Sequence, residues 1–281
     1  MKKILALIMA VVLVLSLGVL AGCEKKEDAA AGSNASGTES APASKGTIVV
    51  GYTIYAPMNY FDENNKLIGF DTELAEKVFT NMGYEVQFKE INWDNKYTDL
   101  DGGTIDCVWN GFTANTSDKD GIARKDKVDF SYNYMENRQV VVVNADSGIT
   151  DAAALSGKIG CAEGGSAGLT YAESFEGTSV KSVLKQTDGL FEVKSGTADF
   201  VVLDAQVAKA YVGKGDYAGL TVVDALSSDV EFYAIGFKKG SALTAEVNAQ
   251  LEALAADGTI AALAEKYGVA NTAITDFADQ K

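Results

Sequence analysis

In the stretch GTADFVVLDAQVAKAY, Gly196 to Tyr211, a β-branched run ends on an aspartate and a helical pattern begins at once behind it. An acid at that corner, Asp204, has two uses. It can cap the helix, accepting from unpaired backbone N–H groups. It can also face a cleft, because open α/β sheets bind ligands beyond the carboxyl ends of their strands. A second stretch, GGSAGLTYAESF, is a Gly-rich turn feeding a helix. Backbone of that kind lets N–H groups approach an anion closely. The chain contains no histidine, which removes the commonest metal ligand and general base. Its formal net charge of -15 argues against nucleic acid, whose phosphates demand a basic surface. No cofactor is implied.

The N-terminus gives an address. MKK is a short basic start, and ILALIMAVVLVLSLGVLA is an apolar run without a charge. Position, basic flank and small-residue exit fit a secretory signal peptide over 1–22 better than a spanning helix. The exit LAGC, Leu20 to Cys23, resembles a bacterial lipoprotein signal, which implies cleavage before Cys23 and lipid on its sulfur. The stretch 23–46 is polar and rich in Ala, Ser and Gly, so it is expected to be a disordered tether. Cys107 and Cys161 each sit inside a strand-like run without C-x-x-C spacing and read as buried small apolar residues.

The part from about Thr47 onward alternates strands and helices, the mark of α/β architecture. TIVVGYT, YEVQFKEI and TIDCVWN read as strands around the helix FDTELAEKVFTNMG, which Asp71 or Thr72 can cap and Gly83 stops. RQVVVVNA lacks alternation, so it is expected to be buried on both faces. KIGCAE, SVKSVL and ADFVVL are further strands with helices between them, followed by the strand EFYAIGF and the long helical stretch from Ser241 to Gly268. The order suggests two α/β lobes, the second inserted in the first.

Several stretches resemble the bacterial extracellular solute-binding proteins of family 3, the amino-acid receptors of ABC importers. NNKLIGFDTELAEKV is similar to that family's signature, a Gly-Phe-Asp turn opening the first helix. IVVGYTIYAPMNYFDENNKLIGFD resembles its first strand and aromatic loop, VDFSYNYMENRQVVVV the approach to the first hinge, and AADGTIAALAEKYG the closing helices. The resemblance implies a periplasmic-binding-protein-like (type II) fold, with lobe one at 47–136 and 231–281 and lobe two at 137–230. The crossovers would be MENRQ and DVEFY. It implies a monomer that captures a free amino acid between the lobes and delivers it to membrane permease subunits. It also implies a place on the extracytoplasmic face of the cell membrane, held there through Cys23.

By the same resemblance, Asp204 takes the ligand's α-ammonium, Gly111 offers it a carbonyl, and Thr113 donates to the α-carboxylate. Glu163 to Gly168 forms the anion turn, with Ser166 adding a hydroxyl. Tyr55 and Trp93 are the aromatic walls. One position departs from the pattern T-x-T-x-x-R: the arginine's place holds Asp118. Counting back six residues from Phe130 lands on Arg124, so an insertion within NTSDKDGIA would restore the register. A guanidinium is the best fork for a carboxylate, with Lys119 or Lys125 as substitutes. A second departure puts Tyr52 where members for basic amino acids often carry an acid. With Tyr52, Tyr55, Trp93 and Trp109 nearby, the pocket is expected to be aromatic and uncharged, favouring a polar, uncharged or cystine-like ligand.

The same fold hosts dehydratases, peptidoglycan-cleaving domains and ligand-sensing domains. Catalysis needs a general acid or base at the cleft; with no histidine, and Asp204 and Arg124 engaged in charge pairing, a binding protein is the better reading. A structural lipoprotein or adhesin would bind nothing small. The anchoring expectation has a direct test: Cys23→Ser should shift the protein from the membrane fraction to the medium, or leave it unprocessed. Mass spectrometry of the mature wild type finding an unlipidated Cys23 would count against it.

Overall fold

A strand can be apolar on both faces only if structure covers both, and Thr47–Tyr52 is placed to meet that demand. Parallel neighbours flank it on both edges, Glu85–Glu90 on one side and Cys107–Val108 on the other. These elements belong to residues 44–281, the part described by this computed structural model; the expected signal peptide, Cys23 and the expected tether as far as residue 43 lie outside the described residues. Two five-stranded sheets form the framework. The first runs in the order Glu85–Glu90, Thr47–Tyr52, Cys107–Val108, Gly236–Lys238, Val128–Phe130. The second runs Ser179–Val183, Ile159–Glu163, Phe200–Asp204, Gln139–Asn144, Leu220–Val222. Gln139–Asn144 has antiparallel partners on both edges and is buried almost throughout, as its unbroken valines require.

A short antiparallel pair, Met135–Asn137 against Glu231–Tyr233, carries the chain from the first sheet to the second and back. This pair accounts for a difference from the sequence reading. EFYAIGF is not one strand: Glu231–Tyr233 belongs to the crossover pair, and Gly236–Lys238 belongs to the first sheet. The long helical stretch is likewise two helices, Leu243–Ala256 and Thr259–Lys266, separated at Gly258 with φ +83°. Both pack on the helix Phe70–Asn81. Cys107 and Cys161 are buried and unpaired, each in a different sheet. Among the described residues no helix is long and apolar enough to cross a membrane.

The Gly-Phe-Asp turn has a structural basis of its own. Gly69 sits at φ +134°, and a Cβ there would fall 2.0 Å from the Met58 carbonyl oxygen, so no other residue fits. Neither Asp71 nor Thr72 caps the helix; the N-cap position is Gly69, without a side-chain bond. The Asp71 carboxylate is instead fully buried, where its Oδ2 accepts from the Gly111 backbone N–H at 3.1 Å and from the Tyr134 hydroxyl at 3.0 Å. Its Oδ1 has no partner.

Burial pushes the Asp71 carboxyl up to about 7, whereas an unfolded aspartate titrates near 3.9. Between those values the unfolded chain has released a proton that the folded chain retains. Stability contributed by this group therefore falls as pH rises from about 4 to about 7, then levels off. In Asp71→Asn that loss is absent, so the melting temperature of the variant minus that of the wild type should be larger at pH 8 than at pH 5. A difference independent of pH would show that Asp71 is ionised throughout.

Candidate ligand-binding site

Parallel strands in one sheet end on the same side, and here two of them end on acids. Ile159–Glu163 and Phe200–Asp204 are parallel neighbours, so Glu163 and Asp204 reach one edge of the second sheet together. Gln139 begins the antiparallel neighbour at that edge, directly opposite Asp204. Although Asp204 precedes the helix Ala205–Tyr211, its side chain makes no capping bond. Its Oδ1 accepts from Asn137 Nδ2 at 2.9 Å and Gln139 Nε2 at 2.5 Å, and its Oδ2 from Gln186 Nε2 at 2.5 Å. The Gln186 side chain is held in turn by the Asp204 backbone N–H at 2.9 Å.

The same two amides also serve Glu231. Asn137 Nδ2 and Gln139 Nε2 each donate to its Oε1 at 2.6 Å, so two buried carboxyls are bridged by two neutral groups. Burial raises both carboxyls, and the Asp204 charge adds to the effect on Glu231, bringing it to about 7. At Asp204 three amide donors oppose the rise, because donors favour the charged form. No lysine or arginine forms a salt bridge with either acid among the described residues. A charge buried among neutral donors favours a cation as its partner.

On the facing side, Gly111 follows the buried strand end with φ +57°. A Cβ there would lie 1.8 Å from the Tyr55 hydroxyl oxygen, so the close approach of Tyr55 requires glycine. Thr113 is bridged to Tyr233 of the crossover pair. The chain then makes a tight loop: Asp118 N–H donates to the Ile122 carbonyl at 3.0 Å, Gly121 N–H to the Asp118 carbonyl at 2.8 Å, and Ser117 pairs with Ala123. Arg124 N–H returns to the Thr116 carbonyl at 3.0 Å. The residues read as an insertion thus close on themselves and bring Arg124 back beside Thr116.

Arg124 is 1% exposed and lies with its guanidinium 5.5 Å from the Phe112 ring centre. Its Nε bonds Asp118 Oδ1 at 2.9 Å, Nη1 the Thr113 carbonyl at 3.3 Å, and Nη2 the Gly165 carbonyl at 3.2 Å. Asp118 also pairs with Lys127 at 2.9 Å. The acid standing in the arginine's usual place is therefore the residue that holds Arg124. Lys119 and Lys125 are both exposed.

Six of the seven residues expected from sequence line one narrow, largely closed cavity: Trp93, Gly111, Thr113, Arg124, Ser166 and Asp204. Ser166 Oγ accepts from the Leu169 N–H at 2.9 Å, capping the helix Ala167–Glu173 and leaving its own O–H free to donate. Tyr55 does not line the cavity. It lies behind Gly111 in the core with its hydroxyl unpartnered, so its expected part as an aromatic wall is not what its position provides. The expectation of an aromatic, uncharged pocket also needs correction. Tyr52 packs edge-on to Phe88, Trp109 is wholly buried against Phe79, and only Trp93 of the four aromatics faces the cavity. Charged Glu163, Arg124 and Asp204 face it as well.

Sequence reasoning gave no role of their own to Glu163, Gln186 and Lys96. The pairing of strand ends was a usable signal for Glu163, since KIGCAE and ADFVVLD both finish on an acid. Lys96 carries no local signal. It is 1% exposed, with Nζ donating to the Gly165 carbonyl at 2.9 Å and the Trp93 carbonyl at 3.3 Å. Together with the Lys185–Glu90 ion pair at 2.6 Å, these bonds tie residues flanking the first sheet to residues flanking the second. Among the described residues no cluster of acids and cysteines is placed to hold a metal ion.

Known proteins resemble the chain over most of its length. The family model for bacterial extracellular solute-binding proteins, family 3, matches residues 48–270. The arginine-binding extracellular protein ArtP of Bacillus subtilis is 28% identical over 254 residues, covering 89% of this chain and 95% of that protein. The L-cystine-binding protein TcyA of the same organism is 28% identical over 273 residues, covering 95% and 97%. Among solved structures, an ancestral arginine-binding protein bound to glutamine superimposes with a TM-score of 0.72 at 34% identity, over 80% of this chain and 99% of that one. A substrate-binding protein from Streptococcus pneumoniae with bound histidine gives a TM-score of 0.70 at 28% identity, covering 79% and 92%. With two α/β lobes, a polar cavity fed by both and binding proteins as its relatives, the chain is an extracytoplasmic solute-binding protein rather than an enzyme, and it belongs to the bacterial extracellular solute-binding proteins, family 3.

Proposed function

We propose that the chain captures a free amino acid between its lobes and hands it to the permease of an ABC importer, while lipid on Cys23 keeps it at the membrane. The observation that carries this reading is the charge arrangement across the cavity. Asp204 is buried with neutral amide donors only, and Arg124 faces the same cavity with a side chain fixed by Asp118. An α-amino acid presents the complementary pair: its ammonium meets Asp204 and the Gly111 carbonyl, and its carboxylate meets Arg124 and the hydroxyls of Thr113 and Ser166. Trp93 gives the ligand an aromatic face.

In this reading lobe one comprises 47–136 and 231–281, and lobe two 137–230, with Met135–Asn137 and Glu231–Tyr233 as the crossovers. Two strands absorbing small dihedral changes allow hinge closure, which ligand contacts from both lobes favour. The ligand's side chain is polar and uncharged, or a second amino-acid head as in cystine. Relatives span arginine, cystine, histidine and glutamine, so the backbone clamp is common ground and the side-chain end differs.

Calorimetry against the twenty amino acids and cystine tests the reading, and two variants test the clamp. Removing one partner of a buried charge pair costs about 3–5 kcal/mol, at about 1.4 kcal/mol per decade. Asp204→Ala and Arg124→Ala should therefore each weaken binding by about two to three orders of magnitude. Lys125→Ala should change affinity little, because that side chain is exposed. If Asp204→Ala binds an amino acid as tightly as the wild type, the clamp is refuted.

A further inference from the structure

Asp204 is tied to a second acid that the clamp leaves without a role. Asp204 ends a strand of the second sheet, Glu231 opens the returning crossover strand, and both are buried. Asn137 Nδ2 donates to Asp204 Oδ1 at 2.9 Å and to Glu231 Oε1 at 2.6 Å. Gln139 Nε2 donates to the same two oxygens at 2.5 and 2.6 Å. An amide nitrogen has two N–H donors, so these four bonds occupy both amides fully. They also fix how far apart the acids can be. Two oxygens bonded to one nitrogen at 2.5 and 2.6 Å lie no further apart than the range of about 4–6 Å over which one carboxylate opposes the ionisation of another. Among the described residues neither acid has a salt bridge, and the remaining donor to Asp204 is the neutral Gln186 amide.

We propose that Asp204 and Glu231 together hold one proton in the empty protein and that the ligand's ammonium takes its place, so each amino acid captured releases one proton to water. This rests on the amino-acid reading above and adds proton exchange to it. Two buried like charges served only by neutral donors lack compensation, and an uncompensated buried charge is costly. One proton leaves the pair with a single charge. An ammonium arriving at Asp204 supplies the missing positive charge, which favours the ionised form of both acids. The pair also lies between two spaces. Asp204 lines the ligand cavity, whereas Glu231 lines a separate cavity of about 560 Å³ bordered by the exposed Asn115 and Asp229. The ammonium therefore meets one acid while the proton leaves from the other.

Other ionisable groups face the pair from the elements around it. Arg124 lines the ligand cavity from the first lobe but is committed to Asp118. The buried Tyr55 and Tyr233 hydroxyls are held well above their usual range by burial and then by the Asp204 charge, so both stay neutral. Arg138 and Asp229 are exposed. Two rival proton sources remain. Glu163, at the end of the neighbouring strand, is pushed up to about 8 by burial and then by the Asp204 charge. Asp71, bonded to the Gly111 N–H, is raised by burial to about 7. Within the pair, burial raises Asp204, and burial followed by the Asp204 charge brings Glu231 to about 7. Because binding releases a proton, affinity rises with pH as long as the empty pair is protonated, and levels off above about 7.

Calorimetry with the twenty amino acids and cystine, in phosphate and in imidazole buffer at pH 6 and pH 8, gives the test. For each amino acid that binds the wild type, the heats at pH 6 should differ between buffers by close to one protonation heat, and by less at pH 8. Glu231→Gln should lose most of that release, and Glu163→Gln should retain it. Wild-type affinity should rise by up to about tenfold per pH unit between pH 5 and pH 7, while that of Glu231→Gln stays nearly flat. A merely structural role for Glu231 would instead weaken binding by the same factor at every pH. Equal heats in the two buffers at pH 6, or full release by Glu231→Gln, would overturn the proposal while leaving an amino-acid receptor. Loss of the release in Glu163→Gln would overturn it too. Should Glu231→Gln fail to fold, the wild type and Glu163→Gln still decide. Binding of no amino acid by a folded wild type would refute the underlying reading instead.

Discussion

A carboxylate held in the interior by neutral amides is the constraint on which the site depends. Asp204 has three side-chain donors, and none can cancel its charge. Two of the donors are also placed where the lobes join. Asn137 ends the outgoing crossover strand, Gln139 begins the second sheet, and Glu231 on the returning strand accepts from both. The acid is therefore wired into both crossover strands. In the proposed function, a cation arriving at Asp204 would change the electrostatics of the connection itself and so act on the crossovers through contact rather than through a distant relay.

The first lobe answers with fixed geometry. Asp71 fastens the Gly111 N–H and the Tyr134 hydroxyl from below, and Tyr55 fills the place a side chain would take at Gly111. Glycine at that point is thus demanded from two directions, by positive φ and by the aromatic oxygen behind it. Arg124 is positioned by a different device. The loop from Thr116 to Arg124 closes with backbone bonds, and Asp118 at its start grips the guanidinium at its end. Extra residues can be accommodated there because the loop returns to the point it left, so the cavity sees the same cation at the same border.

How much of this was legible in the sequence follows from which contacts are local. The strand ending at Asp204 is visible because a buried run and a helix meet there, and the absence of a capping bond is visible only in the structure. Arg124 could be reached by counting from Phe130, since the strand that follows has a fixed register with Gly236–Lys238. EFYAIGF reads as one strand because its residues all favour extended backbone; its division comes from two sheets claiming its ends. Tyr55 and Trp109 carry no local mark that separates a cavity wall from core. Lys96 is least legible of all: its burial is completed by Gly165, 69 residues later and beyond the crossover.

That last case shows which placements no single element dictates in this fold. The groups proposed to grip an amino acid sit at strand ends and turns, whose placement follows from backbone geometry. Lys96 and Gly165 meet only because the lobes do, one on a short helix of the first and the other in the turn that follows a strand of the second. A contact of that kind is recorded in no single element's pattern, only in the way the two lobes come together.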